Sequence, residues 1–77
     1  MNSNNLEKQK DKVLNSFKEK KFQEVIVDGE YLLKERQNDT KLLFILGIAS
    51  INLQNFVAAE NYFEKLILFK KTAENFY

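Results

Sequence analysis

The sequence predicts an all-α protein built as an array of helical hairpins, and three observations lead there. The first is a repeat. Phe22 and Phe56 stand 34 residues apart, and Ser16/Ser50, Glu30/Glu64, Leu32/Leu66, Leu33/Ile67 and Arg36/Lys70 keep the same register. A period near 34 holding two amphipathic segments marks a helix-turn-helix array, an α-α superhelix or solenoid. The second observation is that the 77 residues include no Pro and only two Gly, so the punctuation of an all-β protein is missing. The third is that 44% of the residues are hydrophobic and 13% aromatic, enough for a packed core and too many for disorder. Such a length holds one small domain, or a piece of a larger protein, with a marginal core.

The elements follow in order. Residues 1–5 read as a polar tail, with Asn4 or Asn5 as N-cap of a first helix over 6–19. Its apolar residues Leu6, Val13, Leu14 and Phe17 form one narrow stripe, so it covers one neighbour and turns a charged side to water. That pattern suits the open end of an array. Lys20-Lys21 makes a turn into a second helix over 22–36, and Gln37-Asn38-Asp39 breaks the pattern. Asp39 is placed to cap a third helix over 40–53, apolar almost all round from Leu42 to Leu53 and therefore expected at the centre. Gln54-Asn55 turns the chain into a fourth helix over 56–70, and 72–77 read as the start of a fifth. The domain plan is thus a tail over 1–5, repeats over 6–39 and 40–73, and the beginning of a third repeat over 74–77.

Leu43-x2-Leu46-Gly47-x2-Ser50, followed by Ala59-x3-Phe63, resembles the tetratricopeptide repeat pattern. In that family an aromatic precedes the Leu-Gly pair, a Tyr follows it, and an aromatic such as Phe56 opens the second helix of the repeat. Leu43, Ser50 and Lys71 depart from the family's aromatic, Tyr and closing Pro. Gln9, Lys12, Val13 and Gly29 depart from it in the first repeat, which rests on register and stripes. Gly47 costs about 1 kcal/mol in a helix interior relative to Ala, so it needs a packing reason. Opposite a small residue such as Ala59 it lets the two helices of a hairpin approach closely.

Function is narrowed first by exclusion. There is no His, Cys or Trp, and no Gly-rich phosphate loop, so nothing points to an enzyme, a cofactor or a metal site. The carboxylate pairs Glu24/Asp28 and Glu30/Glu35 lie on lysine-rich helices and read as solvated salt pairs. Twelve Lys and Arg against eleven Asp and Glu leave a formal charge of +1, and the basic N-terminal half is interleaved with acids. That argues against a nucleic-acid surface. The longest apolar run, Leu42 to Ile51, falls short of the roughly 20 residues a membrane span needs. The start has no signal-peptide pattern, and together these features fit a cytoplasmic protein.

What remains is a non-catalytic scaffold for a protein or peptide partner. The resemblance implies that the first helix of each repeat lines a concave binding face. Carried onto this chain, that face takes Lys10, Leu14, Phe17 and Lys18 from the first repeat and Lys41, Phe44, Ile48, Ile51 and Asn52 from the second. Some family members grip a partner's C-terminal carboxylate, but Leu14 and Ile45 replace the asparagines of that clamp. Leu68, Phe69, Phe76 and Tyr77 put apolar side chains at the C-terminal end, a docking edge for further repeats or a second copy. Two alternatives stand beside the scaffold: an N-terminal repeat module of a larger enzyme such as a transferase, and a small self-associating helical protein.

Overall fold

The computed structural model describes residues 2–36 and 39–74, and these form α1 (Asn2–Lys18), α2 (Phe22–Leu33), α3 (Thr40–Asn52) and α4 (Phe56–Glu74). No strand occurs among the described residues. Each helix packs chiefly on its neighbours in sequence, giving a slab of 38 × 36 × 18 Å. The all-α, hairpin-like expectation is met. Several boundaries move. Residues 2–5 of the stretch expected as a tail belong to α1, so Asn4 and Asn5 lie inside that helix and do not cap it. With no Gly or Pro there, nothing stops the helix from extending backwards. At the other end, Thr72 to Glu74 continue α4, so no fifth helix begins at 72. Lys71, which unlike a proline keeps its backbone N–H, lets the helix run on. Residues 75–77 lie outside the described ones. The second helix ends at Leu33 rather than 36.

The 34-residue period reappears in the backbone. Lys20 and Gln54, one period apart, both hold φ of 63°. Lys21 N–H donates to the Ser16 carbonyl at 2.9 Å, and Asn55 N–H to the Ser50 carbonyl at 2.8 Å. Lys20 N–H donates to Phe17 at 3.0 Å, and Gln54 N–H to Ile51 at 2.9 Å. Both sets are the paired bonds of a Schellman C-terminus, which requires a left-handed residue just past the helix. The two hairpins thus turn by one mechanism, at positions where a side chain bears some strain.

Burial follows the same register. Val25/Ala59 and Ser16/Ser50 are buried in both hairpins. Ser50 Oγ donates to the Leu46 carbonyl at 2.8 Å, so its hydroxyl is satisfied inside the core. The centre is α3, whose Leu42, Leu43, Ile45, Leu46, Gly47, Ala49 and Ser50 are all buried. It reaches α2 through Gly29, where an added Cβ would lie 2.6 Å from Cδ2 of Leu46. It reaches α4 through Gly47, where an added Cβ would lie 2.5 Å from Cζ of Phe63. The close approach expected at Gly47 is therefore present, but its filler is the Phe63 ring rather than Ala59. Across one period the sizes exchange: Val13 stands where Gly47 does, and Gly29 where Phe63 does.

Gly47→Leu is expected to destabilise by roughly 1–3 kcal/mol through overpacking against Phe63, offset by about 1 kcal/mol of helix propensity. Urea melts should show a net loss. Gln54→Gly should act in the opposite direction, stabilising by about 1 kcal/mol because glycine takes the left-handed position without a Cβ penalty. The same melts, run with Lys20→Gly, test whether the two turns respond alike.

Candidate functional site

Asp39 holds α3 in place from its first turn. Its Oδ1 accepts the Leu42 N–H at 3.1 Å, which makes it the N-cap that the sequence suggests. Its Oδ2 also receives Lys10 Nζ from α1 at 3.0 Å. A second tie, Arg36 to Glu7 at 3.3 Å, fastens α1 to the same corner, and Lys12 reaches Asp28 of α2 at 3.7 Å. Burial alone would push the Asp39 carboxyl up. The Leu42 N–H and the Lys10 and Arg36 charges outweigh it and hold the group below its ordinary value.

These contacts sort the expected binding residues. Lys10 is half-buried and its ammonium is engaged by Asp39, so it works as a strut between hairpins. Leu14 and Phe17 are half-buried against the core, with Phe17 edge-on to Phe22 at 6.1 Å between ring centres. Lys18 and Lys41 are exposed. Asn52 is exposed too, its Nδ2 donating to the Ile48 carbonyl of its own helix at 2.9 Å. Phe44 is 51% exposed and Ile51 42%, with Ile48 half-buried between them on one stripe of α3. Phe44 meets Phe63 of α4 edge-on at 6.2 Å. The second-repeat apolar residues therefore share a surface, while those of the first are largely enclosed.

The expected C-terminal edge divides. Phe69 packs against the core, whereas Leu68 is 62% exposed; Phe76 and Tyr77 lie outside the described residues. Adjacent residues of a helix point about 100° apart, so one of the pair turns inward. A different stripe of α4 lies outside the expected edge and outside the expected concave face. Phe56 (63% exposed) and Ile67 (55% exposed) flank the half-buried Phe63 at spacings of seven and four. Those spacings carried the signal.

On the other side, an open cleft of about 390 Å³ lies between α2 and α4, lined by Glu30, Leu33, Lys34, Lys65 and Phe69. The Tyr62 hydroxyl donates to the Glu30 carboxylate and bridges the same two helices. Among the described residues, no group of three or more His, Cys, Asp or Glu could hold a metal ion. No described helix is long and apolar enough to cross a membrane. Searches of family models, curated proteins and solved structures find no match to this chain.

Asp39 also makes a pH prediction. Its folded pKa is depressed, so its contribution is present above the unfolded carboxylate range, about pH 4, and is lost as pH falls through the lower folded value. Acid titration of stability should show this loss in the parent. Asp39→Asn, which keeps a capping oxygen but loses the charge, should flatten it. Asp39→Ala should cost about 1 kcal/mol at neutral pH as a lost cap.

Proposed function

We propose that this chain is a non-catalytic interaction module, similar to tetratricopeptide arrays, that holds a peptide or protein partner on the outer stripe of α3. The observation that carries the reading is the exposure of Phe44 and Ile51 on a helix whose other large apolar residues are almost all enclosed. Leaving such side chains in water gives up on the order of 1 kcal/mol or more apiece, and clustered exposure of this kind marks an interaction surface. Phe63 extends the patch onto α4, and Lys41 supplies a cation at its edge. A partner with apolar anchors at helical or extended spacing, and an acidic group beside them, fits that chemistry. The same reading places the protein in the cytoplasm, which suits a chain without Cys.

A peptide display library panned on the chain tests the proposal. Selected peptides should lose affinity by on the order of tenfold with Ile51→Ala or Phe44→Ala, at unchanged helicity by circular dichroism. Binding that ignores both substitutions would overturn it.

A further inference from the structure

The 34-residue register shows what would normally lie on each face, because the first hairpin is covered by the second. Phe22 and Leu33 in α2 are half-buried and buried, respectively. Their equivalents one period on, Phe56 and Ile67 in α4, are largely exposed. The side of α4 that corresponds to the covered side of α2 is therefore open at Phe56 and Ile67, with the Phe63 ring between them half-buried beside Gly47. It carries the stripe Phe56, Glu60, Phe63, Ile67 and Lys70, at spacings of four, three, four and three.

Stacking by the start of another copy is disfavoured by the chemistry of α1. Where α3 presses Leu42, Leu43, Ile45, Leu46 and Ala49 inward, α1 carries Lys8, Gln9, Asp11, Lys12 and Asn15. Of these, Lys8, Asp11, Lys12 and Asn15 are exposed. A head-to-tail contact would take those polar side chains and the Lys12–Asp28 pair out of water against the Phe56–Ile67 stripe, at a desolvation cost.

An antiparallel match of the stripe with itself has no such cost. We propose that α4 pairs with α4 of a second copy about a two-fold axis beside residue 65. In that register Phe63 meets Ile67 of the other copy, and Glu60 meets Lys70, each contact occurring twice. Neither Glu60 nor Lys70 has an ion-pair partner among the described residues, so both charges are available. The apolar centre supplies association and the flanking opposite charges select the antiparallel orientation. This inference shares Phe63 with the peptide-binding patch but does not rest on that reading, since dimerisation needs no peptide.

Sedimentation velocity of the whole chain across a concentration series tests it. The parent should show a concentration-dependent dimer. Glu60→Lys alone and Lys70→Glu alone should each weaken dimerisation by about tenfold, because two attractions become two repulsions. A one-to-one mixture of these two variants should regain parental dimerisation, since opposite charges again face each other at both contacts. Ile67→Lys should weaken the dimer on the order of a hundredfold; if that variant loses helicity, the charge pair decides. A parent that is monomeric at every concentration would overturn the proposal and leave the stripe to another protein's helix or to water. So would a mixture that associates no better than its separate components.

Discussion

Leu46 seated in the gap at Gly29 is the contact on which the rest of this structure depends. It is the point where the second hairpin closes on the first, and it sets how near α3 lies to α2. A fully buried leucine removes enough apolar surface from water to contribute about 1.5–3 kcal/mol, and the absent side chain at Gly29 is what admits it. Next to Leu46 on the same helix, Gly47 admits Phe63 and sets the spacing to α4. With both neighbours drawn close, α3 loses nearly all contact with water on those sides. Phe44 and Ile51 are then left largely exposed on the remaining side, with Ile48 half-buried between them and only Phe63 of α4 at its edge.

The two hairpins share a backbone plan but not a side-chain plan. Their turns use the same hydrogen bonds and the same left-handed residue, at Lys20 and Gln54. Their interiors exchange large for small at equivalent positions, with Val13 and Gly29 in one and Gly47 and Phe63 in the other. Close packing requires only that the volume between facing helices be filled, whichever side fills it. Such an exchange keeps the architecture while obscuring a motif defined by residue identity. It explains why the two hairpins share a turn while differing in the residues that fill them.

Polarity differs between the ends. At α1 the outward positions are charged; the Lys10–Asp39 pair converts part of that charge into fastening between hairpins, and Glu7–Arg36 ties α1 to the end of α2. At α4 the outward positions alternate apolar and charged residues. An end of the first kind is finished by water. An end of the second kind has surface to cover, and this difference makes association through the two ends unequal.

Much of the fold was legible in the sequence because it depends on short-range chemistry. The four helices, both hairpin turns and the Asp39 cap follow from periodicity, from polar breaks and from a side chain reaching an N–H three residues on. The central position of α3 followed from its having no polar face. The candidate surface was legible only in part: the family resemblance grouped Phe44, Ile48 and Ile51, but their exposure could not be read from it. Only the tertiary structure decided that Phe63 rather than Ala59 fills the space at Gly47, that the Lys10 charge goes to Asp39, and that Phe69 turns inward while Ile67 stays out. Each of these depends on how far one helix is rotated and shifted against another. A rotation of a few tens of degrees moves a residue between core and rim without altering the helical pattern from which it was read.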